Sequence, residues 1–346
     1  MEYRTLGTTG MRVSALCLGA MMFGEWGNTD RAECLRMVDR ALDGGINVVD
    51  TADVYSDGQS EEIVGEALQG RRDRVVLATK VHGEMGDDPN ERGNSRRWIV
   101  QEVENSLRRL RTDHIDLYQI HRPDPSTAIE ETLSALTDLV HQGKIRHFGS
   151  STFPAFQIVE ARWAAERRGF ERFASEQPPY SIFVRHAEAD VLPVAQKYGI
   201  GVIVWSPLAG GWLTGKYRRG EDAPRDSRAV RFTERGSPVA RRFDTSLPGN
   251  QRKLDLVEGL AKVAADAGVP MASMAVAFTL AHPAVTAAII GPRTPQQLED
   301  ALATADLRLD AGTLDAIDAL VPPGTTVEDF DRGWTPPWME AAARRR

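Results

Sequence analysis

The feature that most constrains the fold is a regular alternation of short apolar runs with longer amphipathic segments. Segments with helical periodicity separate nearly all of the runs, and strands joined in this way must lie parallel and be covered on the outside. An eightfold alternation predicts an α/β protein of the (β/α)8 TIM barrel class. The predicted strands are 15–19, 46–50, 75–80, 115–121, 145–150, 173–176, 201–206 and 284–291.

The rival architecture is an open, doubly wound sheet. That fold usually carries the sequence G-x-G-x-x-G after its first strand, where glycines let a pyrophosphate approach the backbone. Here the first predicted strand ends in GAMMFG at 19–24, which does not have this spacing. The sequence therefore favours the closed barrel.

We expect one barrel domain over residues 1–346. Two short runs around the GTTG at 7–10 predict an N-terminal β-hairpin that caps the lower end of the barrel, and extra helices are predicted at the C-terminal end. The segment 217–248 is rich in Arg, Asp, Ser and Pro, and we predict a mobile loop insertion there. Residues 330–346, which end in three arginines, are predicted to be a solvated C-terminal tail.

Composition and charge narrow the partners and the compartment. The formal net charge of -7 argues against general affinity for nucleic acid. No apolar run approaches the roughly 18 residues that span a bilayer, so no membrane partner is expected. The chain has two cysteines, Cys17 and Cys34, which is not the framework of a disulfide-stabilised secreted protein. Since the N-terminus also lacks a signal-peptide pattern, we predict a cytoplasmic protein.

Three neighbouring predicted strands end in ionisable side chains. The second strand ends in Asp50, the third in Lys80 and the fourth in His121, and Tyr55 lies in the loop after the second. Active sites of (β/α)8 barrels lie at the carboxyl ends of the strands, and adjacent strands are about 4.8 Å apart. The sequence therefore predicts that these four side chains meet at one catalytic site.

Each of the four residues has an ordinary structural alternative. Asp50 could cap a loop, Lys80 could point to solvent, His121 could be a structural residue, and Tyr55 could be loop packing. Their occurrence at one end of three neighbouring strands favours catalysis. A metal-dependent barrel hydrolase is a further interpretation, but a lysine ammonium repels a cation, and the histidines and cysteines lack metal-ligand spacing. No metal is predicted.

Together the four groups suit proton transfer at an oxygen atom. A tyrosine hydroxyl is a weak acid near neutral pH, and a nearby lysine ammonium favours the tyrosinate that proton release leaves behind. The aspartate can hold the lysine charged, and the histidine can donate a hydrogen bond to a substrate oxygen. The partner step is hydride transfer, which protein side chains do not supply, so a nicotinamide cofactor is required.

Three short blocks carry a family resemblance: DTADVY at 50–55, ATK at 78–80 and DLYQIHRPD at 116–124. They resemble the aldo-keto reductase superfamily, closest in style to its bacterial and potassium-channel-beta-like branch, and the resemblance covers nearly the whole chain. It implies that the tyrosine is the general acid, that the lysine and aspartate tune it, and that the histidine orients the carbonyl group. The implied catalytic tetrad is Asp50, Tyr55, Lys80 and His121.

The resemblance also implies where the cofactor binds. GSSTF at 149–153 resembles the block that holds the nicotinamide carboxamide, with Thr152 in place of the family's usual asparagine. VWSPLAGGWLTGKY at 204–217 resembles the pyrophosphate segment, in which Trp205 would stack on the nicotinamide ring. The implied cofactor contacts are Gly19, Met21, Asp50, Ser151, Thr152, Gln177, Trp205, Ser206, Leu208, Gly210, Lys216, Gly291, Arg293 and Gln297.

A predicted helix start near the end of the chain bears on which nicotinamide cofactor binds. Thr294 and Gln297 have the spacing of a capping box, with Pro295 at the first helical position. A helix start is a natural anion site. By resemblance, Arg293 would hold the 2′-phosphate of NADP, so NADP(H) is preferred to NAD. Gln297 would lie near the adenosine, and Ala301 stands where the family often has asparagine.

These observations predict an NADPH-dependent reductase that converts an aldehyde or ketone to the alcohol. The alternative is a nicotinamide-binding redox-sensing or regulatory module with little turnover, because potassium-channel beta subunits resemble the same family. Met21, Met22, Phe23 and Trp26 would line an apolar substrate wall. The physiological carbonyl substrate and the oligomeric state stay open at this point.

Overall fold

The computed structural model describes residues 1–340 and 343. Eight parallel strands form a closed barrel, which confirms the predicted (β/α)8 class, and an antiparallel hairpin precedes them. The hairpin strands are β1 (Tyr3–Thr5) and β2 (Arg12–Ser14). The barrel strands are β3 (Leu16–Gly19), β4 (Val48–Asp50), β5 (Val76–Val81), β6 (Ile115–Ile120), β7 (Ile145–Ser151), β8 (Ser175–Gln177), β9 (Gly201–Val204) and β10 (Ala287–Ile290).

Helices alternate with the strands along the chain, as the sequence pattern predicts. The α-helices are α1 (Arg31–Asp43), α2 (Gln59–Ala67), α3 (Arg96–Leu110), α4 (Ile129–His141), α5 (Ala155–Arg168), α6 (Val191–Tyr198), α7 (Arg228–Glu234), α8 (Pro248–Asp266), α9 (Met271–Ala281), α10 (Pro295–Ala303) and α11 (Ala311–Leu320). Short 3-10 helices span Arg72–Arg74, His186–Glu188, Ala209–Thr214, Pro238–Phe243, Asp329–Arg332 and Pro337–Met339.

Helix α3 illustrates how the sequence forms these elements. Ser95 is its N-cap, and the serine side chain accepts a hydrogen bond from Trp98 N, which satisfies one of the free N–H groups at the helix start. Ile99, Val103 and Leu107 recur every four residues and are buried. This spacing puts one apolar stripe on the helix, and burial of that stripe holds the helix in place.

The strand register brings the carboxyl ends of neighbouring strands level. Gly19 pairs with Asp50, Asp50 pairs with Ala78, and Lys80 pairs with Gln119. Successive side chains of a strand alternate between the two faces of the sheet, so in-register partners share a face. The polar side chains that end β4, β5 and β6 are therefore presented on one face at one end of the barrel.

The turn of the hairpin fits tightly against the start of a barrel strand. Gly7 has a φ of 53°, and a Cβ atom there would lie 2.6 Å from backbone atoms of Gly199 and Gly201. Glycine is the residue that tolerates both the conformation and the close approach. Because Gly201 begins β9, the hairpin lies at the amino ends of the strands, as the predicted cap requires.

Contacts within the chain divide it into two compact units. Most of the barrel belongs to the first unit, and in the second unit α8 packs against α9 and α11. The expectation of a single domain over the whole chain stays a prediction. The first unit comprises Met1–Pro178, Val191–Ile203 and Pro283–Asp306, and the second comprises Pro179–Asp190, Val204–His282 and Leu307–Arg346.

Two segments differ in detail from the sequence-based expectation. The apolar spacing over 187–198 predicts a helix across that whole range, whereas in the structure α6 begins at Val191, after a separate 3-10 turn at His186–Glu188. Within 217–248 the structure contains α7 and a 3-10 helix, and Tyr217 is buried. The mobility of this segment stays a prediction. The arginines predicted to end a solvated tail, Arg344–Arg346, lie outside the described residues.

Two further observations concern hydropathy and cysteine chemistry. Over residues 1–340, no single helix has both the length and the hydropathy needed to cross a bilayer. The consecutive helices α8 and α9 meet that test only when they are counted together, and the chain bends by 88° between them.

Cys17 and Cys34 are both buried and free. Burial raises the pKa of the Cys34 thiol to about 11, so this thiol is un-ionised near neutral pH.

Candidate active site

The structure brings together the four side chains predicted to be catalytic. Asp50 is the last residue of β4, and Lys80 is the next-to-last residue of β5. His121 directly follows β6, and its backbone N–H donates to Val81 O over 2.9 Å. Tyr55 lies in a tight turn after β4, where its N–H donates to Ala52 O over 3.3 Å. Three adjacent strands and one turn thus supply a single site.

The Lys80 ammonium is the centre of the site. Its side chain is fully buried. Lys80 Nζ donates to Asp50 Oδ2 over 2.6 Å, to Thr51 O over 2.7 Å and to Tyr55 Oη over 3.4 Å. An ammonium has three N–H donors, so each donor has an acceptor. This arrangement fixes the direction of the charge toward the tyrosine hydroxyl.

The second oxygen of Asp50 is held by two amide side chains. Asp50 Oδ1 accepts from Gln119 Nε2 over 3.1 Å and from Gln177 Nε2 over 2.8 Å. Gln177 Nε2 also lies 3.1 Å from Gln119 Oε1 and donates to it. All three side chains are buried. A buried carboxylate is tolerable only when it is paired and hydrogen-bonded, and here Lys80 and the two amides satisfy Asp50.

Gln119 is a site residue that the sequence reasoning missed. It lies inside β6, between apolar neighbours, and it is wholly buried. A buried amide within an apolar strand is the available signal, because buried polar groups require partners. The register pair Lys80 and Gln119 explains how the amide reaches the Asp50 carboxylate.

Charges around Lys80 keep it ionised. Burial alone favours the neutral amine, but the Asp50 carboxylate and the Tyr55 oxygen outweigh it and raise the pKa of Lys80 above its ordinary value. The lysine is therefore an ammonium at neutral pH. A positive charge beside the Tyr55 hydroxyl favours the deprotonated form of that hydroxyl in a proton transfer.

His121 has the opposite electrostatic character. Burial lowers the pKa of His121 well below its ordinary value, and the positive charges of Arg122 and Lys80 lower it further. The imidazole is therefore neutral at neutral pH and carries one N–H donor. Its ring meets the Tyr55 ring edge to face, with the centroids 5.7 Å apart. The Tyr55 hydroxyl and the His121 N–H can therefore hydrogen-bond to the same small ligand atom.

The predicted apolar wall is only partly formed by the predicted residues. The Trp26 ring lies 5.9 Å from the Tyr55 ring, between centroids, and Met21 is half-buried. Met22 and Phe23 are buried in the core, so they pack the protein interior rather than line an open wall. Within this group, the Trp26 ring lies beside Tyr55 of the tetrad.

A strained loop follows β7, where the nicotinamide carboxamide contacts are predicted. Ser151 Oγ donates to Gln177 O over 2.9 Å, and Thr152 N donates to the same oxygen over 3.2 Å. Thr152 has a φ of 61°, a left-handed conformation that is unfavourable for a β-branched residue. Such strain persists where the surroundings hold the backbone, and it concentrates at functional sites.

Glu176 helps to hold this loop from behind. Its fully buried carboxyl accepts from Ser150 Oγ, and from Phe153 N over 3.2 Å. Burial raises the pKa of Glu176 to about 7, although those hydrogen bonds act to lower it. The sequence reasoning did not single out this residue, although Glu176 ends the predicted strand 173–176 and is the middle residue of the buried strand β8.

The predicted helix start after β10 is present, with one difference in its cap. Thr294 is the N-cap of α10, and its side chain accepts from Gln297 N. In a capping box the Gln297 side chain would accept from the N–H of the N-cap residue. Here Gln297 Oε1 instead accepts from Arg293 N over 2.8 Å, one residue before the N-cap. Asn28 Nδ2 donates to Arg293 O over 3.0 Å. The chain around Arg293 and Gln297 is thus fixed at the start of a helix.

Two glycines near these elements have different surroundings. A Cβ atom on Gly19 would lie 2.5 Å from Ile289 Cγ2, so close packing of β3 against β10 excludes a side chain there. A Cβ atom on Gly291 would meet nothing within 4 Å. Open space beside Gly291, at the start of a capped helix, leaves room for a ligand to approach the backbone.

The second unit carries the remaining predicted cofactor residues on one segment. Trp205 follows β9 directly, and Leu208 is the N-cap of the 3-10 helix Ala209–Thr214. Ser206 and Gly210 have φ values of 60° and 71°, and Ser206 Oγ accepts from Gly210 N over 3.2 Å. The N–H groups of Ala209 and Gly211 also donate within this turn, to Ser206 O and to Leu208 O, over 2.8 Å each.

Lys216 lies at the end of this segment and is the last of the predicted cofactor residues in the second unit. Its Nζ lies 5.5 Å from the centroid of the Tyr217 ring. Among residues 1–340 and 343, no group of three or more His, Cys, Asp or Glu side chains is arranged to hold a metal ion.

Comparisons with known proteins give a family profile and several relatives. The profile described as the Aldo/keto reductase family matches residues 15–322. A Bacillus subtilis (strain 168) protein named uncharacterized oxidoreductase YrpG is 40% identical over 333 residues, which cover 93% of this chain and 96% of the relative. A probable voltage-gated potassium channel subunit beta of Oryza sativa subsp. japonica is 37% identical over 328 residues, or 93% and 97% of the two chains. The versiconal hemiacetal acetate reductase of Aspergillus parasiticus is 35% identical over 335 residues, or 89% and 94%.

Proposed function

The chain belongs to the Aldo/keto reductase family and is an NAD(P)H-dependent oxidoreductase, and we propose that it uses NADPH to reduce an aldehyde or ketone to the alcohol. The observation that carries the proposal is the contact chain Tyr55–Lys80–Asp50, in which a buried ammonium lies 3.4 Å from the tyrosine hydroxyl and 2.6 Å from a carboxylate. A relative named as a reductase, the Aspergillus parasiticus protein, supports the direction of the reaction.

The first unit has residues that suit a nicotinamide cofactor. Open space beside Gly291 would let an anion approach the start of α10, where the helix dipole favours negative charge. Arg293 adds a guanidinium fork of the kind that recognises phosphate, and this is the support for NADPH over NADH. We propose Gln297 as a contact near the adenosine. The carboxamide would contact the β7–β8 end of the barrel, and the further contacts in this unit are Gly19, Met21, Asp50, Ser151, Thr152 and Gln177.

The second unit offers a separate set of cofactor contacts. The positive φ values of Ser206 and Gly210 form a tight turn, and we propose that this turn lies against the pyrophosphate. Leu208 and Lys216 lie on the same segment, and the lysine adds positive charge. Trp205 presents an aromatic ring, which suits stacking on a nicotinamide. These roles are our proposals for the segment.

In the proposed mechanism, the bound nicotinamide supplies the hydride. Tyr55 Oη gives its proton to the carbonyl oxygen, and the Lys80 ammonium stabilises the tyrosinate that remains. Asp50 keeps Lys80 charged and aimed, and the two glutamine amides hold Asp50 in turn. His121, a neutral imidazole, donates a hydrogen bond to the same carbonyl oxygen and stabilises the charge that develops there.

The test of this proposal follows NADPH consumption by absorbance with a panel of aldehydes and ketones. We expect multiple turnovers with at least one carbonyl compound and a higher kcat/KM with NADPH than with NADH. Titration calorimetry with both coenzymes separates binding from turnover. If no compound in the panel is reduced although NADPH binds, the reductase proposal is wrong.

A second candidate function has one specific observation in its favour. The relative from Oryza sativa is named a probable potassium channel subunit beta, so a regulatory module that retains a nicotinamide is the alternative. Slow cofactor release with negligible turnover would favour that module, whereas rapid multiple turnover favours the enzyme. We also propose a cytoplasmic location, which the two free cysteines support.

A further inference from the structure

A second histidine lies beside the tetrad and has no role in the proton transfer. His82 directly follows Val81, the last residue of β5, which is the strand that carries Lys80. On the next strand along the barrel, His121 N donates to Val81 O over 2.9 Å, so the two histidines follow neighbouring strands at the same end. Besides burial and two other cations, a charge on His82 acts to lower the pKa of His121. The two imidazoles are therefore close to each other.

The chain after His82 also adjoins the turn that carries the proton donor. A Cβ atom on Gly83 would lie 2.8 Å from Val54 Cβ, and Val54 directly precedes Tyr55. Close packing of this kind leaves the backbone little freedom to shift. The position of His82 is thus fixed relative to both the Tyr55 turn and His121.

A buried asparagine orients the His82 ring. His82 Nδ1 lies 2.9 Å from Asn94 Oδ1, and Asn94 is buried. Asn94 Nδ2 donates to Arg122 O over 3.0 Å, and because a carbonyl oxygen only accepts, the other end of the amide, its oxygen, faces His82. The asparagine backbone is held as well: Asn94 N donates to Asp124 Oδ2 over 3.1 Å, and Thr132 Oγ1 donates to Asn94 O over 2.9 Å.

This orientation settles which nitrogen of His82 carries the proton. An amide oxygen accepts only, so His82 Nδ1 is the donor to Asn94. Burial lowers the pKa of His82, so the ring is neutral near pH 7 and Nε2 carries a lone pair. Nδ1 is the ring nitrogen with a hydrogen bond to residues 1–340, and Nε2 is not fully buried. An accessible acceptor therefore stands beside the tetrad.

This acceptor complements the other groups of the site. The Tyr55 hydroxyl and the neutral His121 ring both donate to the carbonyl oxygen in the proposed mechanism, and the Lys80 ammonium carries donors only. A ligand that satisfies both kinds of group has an acceptor oxygen and, close to it, a hydrogen-bond donor. A carbonyl compound with a hydroxyl on the next carbon atom has both.

We propose that His82 is a specificity-determining residue whose Nε2 accepts a hydrogen bond from a hydroxyl on the carbon next to the substrate carbonyl. The preferred substrates are then α-hydroxy aldehydes and α-hydroxy ketones. This inference rests on the proposed reductase function and adds the substrate class. A substrate with a methyl group in place of the hydroxyl leaves the Nε2 lone pair without a donor, and a site built to bind a hydroxyl discriminates against such an analogue.

The experiment compares two ketones that differ in this one group. Hydroxyacetone and butanone have the same number of non-hydrogen atoms, and a methyl group of butanone replaces the hydroxyl. NADPH consumption at saturating NADPH gives kcat/KM for each ketone, and the quantity compared is the ratio of the two values. Because both values come from one preparation, a loss of folded protein lowers them alike and leaves the ratio unchanged.

Two substitutions of His82 separate its two nitrogens. His82→Asn can place an amide nitrogen where Nδ1 stands and keep the bond to Asn94, but it has no atom at Nε2, so the hydroxyacetone-to-butanone ratio should fall about tenfold. His82→Gln can place an amide oxygen at the Nε2 position and should keep most of the ratio. His141→Asn is the matched control, because His141 is exposed at the end of α4, and its ratio should equal that of the wild type.

The outcomes distinguish this inference from the reductase proposal. If the wild type and His82→Asn reduce both ketones with the same ratio, the role of His82 is wrong and the reductase proposal stands. A ratio that falls as far in His82→Gln as in His82→Asn would assign the effect to packing of the ring and would also overturn the role of Nε2. If no carbonyl compound is reduced by the wild type, both proposals fall.

Discussion

Replacement of Glu176 by glutamine should stabilise the protein at alkaline pH and have much less effect at acid pH. The carboxyl is fully buried and has a pKa of about 7 in the folded protein, against an ordinary value of 4.5. A folded pKa above the unfolded one means that folding favours the protonated acid. The contribution of Glu176 to the free energy of unfolding is therefore fully present below pH 4.5 and is lost as the pH rises through 7.

The magnitude follows from the two pKa values of Glu176. The difference between about 7 and 4.5 corresponds to about 3 kcal/mol at roughly 1.4 kcal/mol per pKa unit. At pH 8 nearly all of this is lost in the wild type, whereas at pH 5 the loss is below about 1 kcal/mol. Glutamine keeps an oxygen that can accept from Ser150 Oγ or Phe153 N but carries no charge. Glu176→Gln should therefore raise the unfolding temperature at pH 8 by roughly 4–5 °C.

The assay is thermal and urea unfolding at pH 5 and pH 8, followed by circular dichroism, for the wild type and Glu176→Gln. Glu171→Gln is the matched control, because Glu171 lies nearby in sequence and is exposed. The control should change stability by less than about 0.5 kcal/mol at either pH. A stability change in Glu176→Gln that is the same at both pH values would refute the reasoning, since the effect rests on ionisation of this one carboxyl.

Three further predictions concern the site. Thr152→Asn should stabilise the fold by about 1 kcal/mol in urea unfolding, because asparagine tolerates the left-handed backbone better than threonine; a loss of stability would contradict this. Gln119→Leu removes one donor to Asp50 and should lower kcat/KM about tenfold while moving the alkaline limb of its pH profile upward; an unchanged profile would count against it. Arg293→Ala should raise KM for NADPH about tenfold or more and leave KM for NADH unchanged; equal effects on both would remove the 2′-phosphate role.

The barrel and the positions of the ionisable residues could be predicted from sequence because both depend on local patterns. Buried parallel strands are continuous apolar runs, and a charged residue at the end of such a run stands out. Asp50, Lys80 and His121 each have this form. Gln119 does not, because a neutral amide in the middle of a strand becomes meaningful only through its pairing with Lys80 across the sheet.

The other differences between the predicted and the observed helices have physical causes of the same kind. The seven-residue helix α7 within 217–248 is too short to show a clear apolar period, and its start depends on a cap in which Ser227 Oγ accepts from Val230 N over 3.3 Å. Val191 begins α6 later than predicted because a 3-10 turn precedes it. That turn is held by Arg185, which pairs with Glu188 and with the distant Asp318. Contacts between residues more than a hundred positions apart leave no pattern in the local sequence.

The central claim is that the Tyr55 hydroxyl donates the proton to the carbonyl oxygen and that the Lys80 ammonium stabilises the tyrosinate that this leaves. The most direct measurement compares Tyr55→Phe with the wild type in NADPH consumption and in NADPH binding by fluorescence titration. The account predicts a fall in kcat of about 10²–10⁴-fold, with the dissociation constant for NADPH changed by less than about threefold, because phenylalanine keeps the ring that packs against His121 and Trp26. Carbonyl reduction by Tyr55→Phe at the wild-type rate would contradict it.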